Sequence, residues 1–473
     1  MNNDESLCRS RFFFCTLAGI ALILAIALIA ELSRTPEAAT SSDSVAEAVA
    51  NDSDETPFPH LDIQHWTSSL GTKVYFIRTE QPELLDIQLN FNSGSVRDGN
   101  LYGLSELTAR LIGSATDKRS GDEIAQIFEQ EGSLFYHYSD REQITIGMRS
   151  LSETKHLLPS IASVTEATAH PVFLPSDLSR IKNQLLETIK SNEQNPMMRS
   201  MLKANTIIYK NSPYSHSKWG TERSLTTITP DDIKTFHQRY FSARNLTISM
   251  VGDITREQAE QISEQISLAL PVGAQAPPPA LPQPATKGTS EHIEMDTSQS
   301  TIVVATLGVP RKSPDYAALF LANEIFGGAF GSLLLKEIRE NQGLAYSAYS
   351  SLVDQRYTGK FQIITQTRSE QATHTLTEIK RLLSYFVSQG PTDKQLNDAK
   401  KIIIGSFPMQ SASNDQLLSL LSDISFYQLP IDKTQQFIKA IHSLTGEQVK
   451  AAFANMVNMK TLTVITTGKK LPN

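Results

Sequence analysis

The pattern of apolar and polar residues predicts that strands and amphipathic helices follow one another along most of the chain. Apolar and polar residues alternate at Val74–Arg78 and at Leu85–Phe91, which is typical of strands with one buried face. Helical spacing dominates residues 103–190, interrupted by a strand-like segment at Ser133–Ser139. NLTISMVGDI, Asn245–Ile254, again has the pattern of a strand and a turn. These segments predict an α+β fold in which helices pack against a sheet.

A proline-rich stretch interrupts this pattern. PVGAQAPPPALPQPATKG, residues 271–288, favours an extended and semi-stiff linker. It separates two parts of similar size, residues 58–270 and residues 289–473. We therefore expect two domains joined by this linker.

The second half repeats features of the first. LDIQLNFNSGS corresponds to TIVVATLGVP, and NLTISMVGDI corresponds to TLTVITTGKK near the end of the chain. Leu178 and Lys182 recur as Leu396 and Lys400, at a constant offset of 218 positions (178 to 396, 182 to 400). The repeat predicts two homologous sheet-plus-helices domains that form a clam-like pair around a common space.

The N-terminal segment predicts a membrane anchor. FFFCTLAGIALILAIALIA, Phe12–Ala30, has no charged residue and as a helix would rise about 28 Å, close to the thickness of a bilayer core. Arg9 and Arg11 precede it, so we expect residues 1–11 to form a short cytoplasmic tail. The prediction is a single anchor in the inner (cytoplasmic) membrane, with the globular part exported to the periplasm.

The residues after the anchor are polar and leave one alternative open. Residues 31–57 are rich in small, polar and acidic residues without hydrophobic periodicity, as in a flexible linker. Small residues at Ala38–Ala39 would also suit cleavage of a long signal peptide. The length of the apolar run favours the anchor.

Composition narrows the class of protein. Hydrophobic residues make up 40% of the chain and charged residues 20%, which is typical of a folded globular protein. The net charge is −7 and no basic block is present, which argues against nucleic-acid binding. The only two cysteines, Cys8 and Cys15, precede or lie within the apolar run, so the rest of the chain has no disulfide.

The helix predicted at GLSELTARLIG, Gly103–Gly113, carries two charged residues on one face. Four apolar residues of this segment fall on one side of a 3.6-residue repeat. Glu106 and Arg110 are four positions apart and share another side. An exposed pair of this kind stabilises a helix by only about 0.2–0.5 kcal/mol.

Three longer segments resemble one known family. NSGSVRDGNLYGLSELTARLIGSA, SPYSHSKWGTERSLTTITPDDIKTFHQRYFSARNLTISMVGD and GGAFGSLLLKEIRENQGLAYSAYSS are similar to the pitrilysin/mitochondrial processing peptidase family, the inverzincins. The resemblance covers about residues 60–470. Active members of that family carry H-x-x-E-H on a helix, in which two His bind Zn²⁺ and the Glu activates water. A downstream Glu on a second helix completes the metal site.

The resemblance places other residues at these positions. Glu106 occupies the first His position, Ala109 the catalytic Glu and Arg110 the second His, whereas Glu187 matches the downstream Glu. A guanidinium is always protonated and cannot ligate Zn²⁺, and alanine cannot transfer a proton. Glu106 and Glu187 could hold a cation weakly. We therefore predict a degenerate metal site, with no zinc bound by this chain and with Arg110 in salt-bridge distance of Glu187 or Glu106.

The other histidines do not rebuild the site. No two of the ten His are three or four positions apart, so no helical His pair exists. The sequence also lacks C-x-x-C, G-x-S-x-G and G-x-x-x-x-G-K-[ST] motifs. An independent hydrolase with a rearranged site is therefore disfavoured.

Two features of the family that bind substrate are retained. The resemblance implies that Arg339 and Tyr346 grip a peptide near the scissile bond, although Arg339 at a helix end and Tyr346 in a strand also suit purely structural roles. Gly132–Ser139 resembles the family's edge strand, which pairs with an extended peptide; an ordinary sheet strand is the alternative.

The combination predicts a division of labour. We expect a non-catalytic subunit of a heterodimeric processing-type zinc peptidase, whose homologous partner bears H-x-x-E-H and the zinc. This chain would contribute Arg339 and Tyr346 to the partner's active site and bind an extended peptide substrate. The alternative is a scaffold or peptide-binding protein of the same fold without a peptidase partner.

Overall fold

A computed structural model describes residues 61–470 of the chain. The expected tail at residues 1–11, anchor at residues 12–30 and flexible linker at residues 31–57 lie outside the described residues. Within the described part, Tyr316–Asn341 is long and apolar enough to cross a membrane, but 56% of its most apolar window is buried in the fold. This segment therefore suits a core helix.

The first half is built on a six-stranded sheet. Its strands are β1 (Gln64–Thr67), β2 (Lys73–Arg78), β3 (Leu84–Phe91), β4 (Leu134–Ser139), β5 (Ile144–Leu151) and β6 (Leu246–Gly252). They lie in the order β1-β2-β6-β3-β5-β4, with β2 parallel to β6 and all other pairs antiparallel. The alternating segments noted in the sequence form β2, β3, β4 and β6, as predicted.

Eight helices accompany this sheet. They are α1 (Leu104–Leu111), α2 (Gly121–Gln130), α3 (Thr154–Ala169), α4 (Pro175–Gln194), α5 (Pro196–Ile208), α6 (Glu222–Thr227), α7 (Pro230–Tyr240) and α8 (Arg256–Leu268). Several begin with a capping box, in which the side chain before the helix and the third helical residue satisfy each other's backbone N–H groups, as Ser120 and Glu123 do at α2.

The second half repeats the topology of the first. Its strands are β7 (Thr289–Glu294), β8 (Gln299–Leu307), β9 (Ala345–Asp354), β10 (Gly359–Arg368) and β11 (Thr463–Gly468). Their order, β7-β11-β8-β10-β9, matches β2-β6-β3-β5-β4, and β7 is again the strand that runs parallel to its neighbour. The described chain is thus a two-domain protein of mixed helix and strand, and the repeat seen in the sequence is a repeat of topology.

The helices of the second half include two π-helical turns. They are α9 (Tyr316–Asn323), continued by a π turn at Glu324–Gly328, α10 (Leu333–Leu335), continued by a π turn at Lys336–Asn341, α11 (Ala372–Gln389), α12 (Asp393–Ser406), α13 (Asn414–Tyr427), α14 (Lys433–Ser443) and α15 (Gly446–Met456). Turns of this type inside helices are rare and occur often at functional sites.

The two halves exchange helices. Helix α5 of the first half packs on β8 and β11 of the second, and α13 of the second half packs on β2, β3 and β6 of the first. The two helices begin 218 positions apart, at Pro196 and Asn414, so the offset in the sequence also relates the exchanged elements. Residues of both halves share apolar clusters, as Val251 and Leu421 do. The halves are therefore joined by shared cores as well as by the linker, and the described residues 61–470 belong to one compact unit.

The proline-rich linker lies along the first half. Residues 271–288 contain no helix or strand. Arg97 Nη1 donates to the carbonyl of Pro277 at 2.6 Å, and Ser212 Oγ donates to that of Ala280 at 2.7 Å. These hydrogen bonds hold the linker to the surface of the first half.

Candidate functional site

A buried carboxylate fixes the start of helix α1, which carries the degenerate metal-site positions. Asp98 accepts hydrogen bonds from the backbone N–H of Gly103 at 2.8 Å and of Ser105 at 2.9 Å. Gly103 has a φ of 96°, in the left-handed region, and an added Cβ would lie 2.9 Å from Leu225 Cδ2. The position therefore requires glycine. The helix is held rigidly where the resemblance places the metal site.

Glu106 is the centre of a buried ionic cluster. Arg110 Nε lies 2.8 Å from Glu106 Oε1, and Lys218 Nζ lies 3.3 Å from Oε2. Ser139 Oγ donates to Oε2 at 2.6 Å, and Lys218 Nζ also donates to the carbonyl of Ser139 at 2.7 Å. Burial raises the pKa of Glu106, but Lys218 and Arg110 outweigh it and lower that pKa overall. The carboxylate is charged and both of its oxygens are occupied.

The ion pair between Arg110 and Glu106 matches one of the two alternatives that the sequence predicted. The expectation that Arg110 faces Glu187 is wrong. The Glu187 side chain is 74% exposed and pairs with Lys190 at 2.9 Å, on the solvent face of α4. Arg110 pairs with Glu106 because the two residues lie one turn apart on the same helix. The Glu187 carboxylate is exposed to solvent and needs no contact with Arg110. Glu187 is therefore not a member of the ion pairs around Glu106.

A histidine of β4 adjoins the cluster. His137 Nδ1 is buried and has no hydrogen-bond partner among the described residues. Burial, together with the charge of Arg110, lowers the pKa of His137 to about 4. The ring is therefore neutral at neutral pH. The sequence did not indicate a side-chain role for His137, Ser139 or Lys218, although all three lie in segments that resemble the family.

The residues of this cluster do not fit a zinc ion. Zinc is bound by neutral imidazole, thiolate and carboxylate groups, and each must offer a free lone pair. Here two cations and a hydroxyl donor surround the only carboxylate, and Ala109, fully buried, replaces the general base. Within residues 61–470, no group of three or more His, Cys, Asp or Glu is arranged to hold a metal.

Arg339 and Tyr346 lie together on the second half. Arg339 belongs to the π turn after α10, and Tyr346 is the second residue of β9. The guanidinium carbon lies 4.7 Å from the centre of the Tyr346 ring, and Tyr346 is 78% exposed. Gly343, with a φ of 59°, ends the helical segment between them, as predicted. The alternative role of Tyr346, a packed strand aromatic, does not fit this exposure.

The predicted edge strand is an edge strand. β4 pairs only with β5 among the described strands, and β9 occupies the equivalent edge of the second sheet. Leu134 at the start of β4 is 60% exposed, whereas Phe135 stacks on Phe128 at 4.9 Å. The strand thus has one row of backbone groups without a strand partner in the described part of the chain, and it also packs an aromatic against the core.

Comparison with known proteins identifies the family. Residues 73–221 match the family profile described as insulinase (peptidase family M16), and residues 227–403 match the profile described as peptidase M16 inactive domain. The chain is 34% identical to a crystal structure of a peptidase M16 inactive domain from Pseudomonas fluorescens. The two superpose with a TM-score of 0.84 over 87% of this chain and 100% of that one. The chain belongs to peptidase family M16.

Relatives of this M16 chain carry two kinds of name. The non-peptidase homolog YmxG of Helicobacter pylori is 24% identical over 81% of this chain and 89% of that protein. The uncharacterized zinc protease YmxG of Bacillus subtilis is 22% identical over 76% of this chain and 86% of that protein. The matched profile and the first relative place the chain among M16 homologues described as inactive, in agreement with the residues at positions 106, 109 and 110.

Proposed function

We propose that this M16 protein is the non-catalytic, substrate-binding subunit of a heterodimeric zinc peptidase that degrades or processes peptides. A homologous partner with H-x-x-E-H supplies the zinc and the general base. This chain contributes Arg339 and Tyr346 to the partner's active site. The observation that supports the proposal is a contrast: Glu106 and Arg110 neutralise each other inside the fold, whereas Arg339 and Tyr346 are assembled at the surface.

The state of Arg339 suits contact with a substrate. Among the described residues, its guanidinium forms no ion pair or side-chain hydrogen bond and packs on the Tyr346 ring. Arginine has five N–H donors, so the donors that face away from the ring are available to peptide carbonyls or to a carboxylate. Packing on the exposed Tyr346 ring orients the guanidinium, so the Arg339 side chain loses little further conformational freedom when it binds a ligand.

Strand β4 offers a second contact for the same ligand. Its outer backbone groups have no strand partner in the described part of the chain, and an extended peptide can add to such an edge through main-chain hydrogen bonds. This mode of binding needs no metal, so loss of the zinc ligands leaves it intact.

We further propose that the N-terminal segment holds this activity at a membrane. In this proposal, Phe12–Ala30 anchors the chain in the inner membrane, and the two domains lie in the periplasm. Its support is the apolar run and the arginines that precede it. Fusion of a reporter enzyme after residue 57 tests it: activity of a reporter that works only in the periplasm supports it, and activity of one that works only in the cytoplasm contradicts it.

The central experiment measures peptide cleavage by the full-length chain, by an H-x-x-E-H homologue from the same cell and by the two together. The mixture should cleave with a higher kcat/KM than the homologue alone, and zinc should copurify with the homologue. R339A should lower kcat/KM of the mixture by about 10–100-fold, because one charged hydrogen-bonding contact is worth about 1.5–3 kcal/mol. Y346L should act in the same direction.

Matched controls separate substrate contact from structure. Arg368 and Tyr385 are an exposed arginine and a half-exposed tyrosine of the same domain, so R368A and Y385L should leave the activity unchanged. Stoichiometric zinc and cleavage in this chain alone would contradict the proposal. Full activity of R339A and Y346L in the mixture would favour a scaffold without a catalytic contribution.

A further inference from the structure

A small cavity opens between the glycine-rich segment of the second half and helix α12. Glu324, Ile325 and residues 329–332 form one wall, and α12 forms the other through Ile402, Ile403 and their neighbours. The volume is about 100 Å³. Since a water molecule occupies about 30 Å³ in the liquid, the cavity has room for roughly three waters or for the end of one long side chain.

Glu324 provides a carboxylate without a cationic partner in this cavity. It accepts a hydrogen bond from Asn323 Nδ2 at 3.2 Å, and no Lys, Arg or His of the described residues lies within ion-pair distance. Burial raises the pKa of the Glu324 carboxyl, and the hydrogen bond from Asn323 only partly opposes this. A partly buried carboxylate of this kind is stabilised by any cation that enters.

Gly328 keeps the carboxylate in place. A Cβ at Gly328 would lie 2.4 Å from Glu324 Oε1 and 2.4 Å from Asn323 Nδ2. Any other residue would therefore displace the Glu324 side chain from its present position. The π turn at Glu324–Gly328 and the glycine that ends it together form a cradle for one acidic group.

Ser332 adds an independent polar group to the same cavity. It lines the cavity and is only 4% exposed, and its Oγ has no hydrogen-bond partner among the described residues. Its hydroxyl also forms no cap at the start of α10. A buried hydroxyl without a partner is costly, and a ligand with an N–H donor would satisfy it.

The mouth of the cavity is apolar. Phe330 is 74% exposed and Ile402 is 59% exposed, and both line it. Asp398, on the rim, already pairs with Lys394 at 2.6 Å. An aliphatic chain that passes Phe330 and Ile402 would bury both and bring a charged end to Glu324 and Ser332.

We propose that this cavity binds an alkylammonium or alkylguanidinium group, as at the end of a lysine or arginine side chain in a peptide, with Glu324 and Ser332 holding the cation and Phe330 and Ile402 covering its stem. The site goes beyond the proposed function, because it needs neither a catalytic partner nor Arg339. It gives the second half a preference for ligands with a basic side chain.

The test is a titration of the full-length protein in detergent, with isoleucine methyl groups labelled for NMR. n-Butylammonium should shift the methyl signals of Ile402 and Ile403 and leave Ile87, in the core of the first half, unchanged. n-Butanol, a neutral molecule of the same length, should bind at least about tenfold more weakly. E324Q should weaken n-butylammonium binding at least about tenfold, and S332A about threefold.

Controls fix the meaning of each outcome. E340Q removes an exposed carboxylate outside the cavity and should not change the binding. Equal binding of n-butanol and n-butylammonium, equal binding by E324Q and the natural protein, or unshifted Ile402 and Ile403 signals would each overturn the proposal. A pentapeptide with a central lysine should shift the same signals, and its norleucine counterpart should not. If only the free amine binds, the peptide is excluded as the source.

Discussion

Lys218 Nζ lies 3.3 Å from Glu106 Oε2, and Arg110 pairs with the other oxygen of the same carboxylate. Glu106, at the position where the resemblance places a metal ligand, is therefore paired with two cations. Lys218 is 112 positions away in the sequence and also donates to the carbonyl of Ser139. The cluster therefore joins α1, β4 and the segment before α6.

Removal of Glu106 should be strongly destabilising. E106A leaves Arg110 and Lys218 partly buried without their shared partner, and loss of one member of a buried ion pair costs about 3–5 kcal/mol. E187A is the matched control: its carboxylate is 74% exposed, and surface ion pairs contribute about 0–1 kcal/mol. Urea unfolding of both variants measures the difference. A change of less than 1 kcal/mol for E106A would show that the cluster stabilises little.

Restoring the zinc motif should require the removal of Lys218. The triple variant E106H/A109E/R110H regains two His at i and i+4, but Lys218 stays close to the first and repels Zn²⁺. Adding K218M should raise the affinity for zinc by at least about tenfold. Competition with a chelator and metal analysis measure the affinity. Equal affinity of the triple and quadruple variants would show that Lys218 does not oppose the metal.

Local spacing predicted one part of this cluster and missed the rest. The ion pair between Arg110 and Glu106 was predictable, because the two residues are four positions apart on one predicted helix. Lys218 and Ser139 belong to segments that are distant from α1 in the sequence. Hydrophobic periodicity predicts local helices and strands, but it does not predict which distant side chains contact a given helix. Glu187 was misplaced because the resemblance gives its position on α4 but not the face that α4 turns to solvent.

The fold shows the same limit on a larger scale. Alternation predicted the main strands, and the offset of Leu178 and Leu396 predicted two halves of one topology. The exchange of α5 and α13 was not predictable from the sequence. Apolar residues such as Leu417 and Leu421 show that one face of α13 is buried, but they do not show which of the two sheets it packs against. The exchange becomes clear only in the folded chain, where each sheet has one face covered by a helix of the other half.

This exchange should make the two halves unfold together. Leu421 on α13 is fully buried against Ile77 and Val251 of the first half. L421A should lower the free energy of unfolding by about 2–5 kcal/mol and should shift the unfolding of both sheets, because the lost contacts join them. L268A, at a site that is 59% exposed, is the matched control and should have little effect. Separate transitions for the two halves, measured by calorimetry, would contradict the shared core.

A titratable contact between the halves should make this stability depend on pH. Glu142, in the turn between β4 and β5, is 4% exposed. Its carboxylate accepts hydrogen bonds from Tyr214 and, at 2.7 Å, from the backbone N–H of Arg356 in the second half. Burial raises the pKa of Glu142 to about 7, despite these bonds and the charge of Arg356, and Asp140 nearby acts in the same direction as burial.

The sign follows from the raised pKa. The folded chain holds the proton of Glu142 more tightly than an unfolded chain, in which the pKa is about 4.5. The stability that this group contributes is therefore fully present below about pH 4.5 and is lost as the pH rises through about 7. A shift of this size corresponds to roughly 3–4 kcal/mol.

The measurement is the free energy of unfolding of the natural protein minus that of E142Q, at several values of pH. This difference should fall as the pH rises from about 4.5 to 8, because Gln does not titrate. Burial lowers the pKa of His137 and His237 to about 4, which changes stability in the opposite direction, but both residues are present in both proteins and cancel. A difference that does not vary with pH would show that Glu142 keeps the same charge in the folded and unfolded chain.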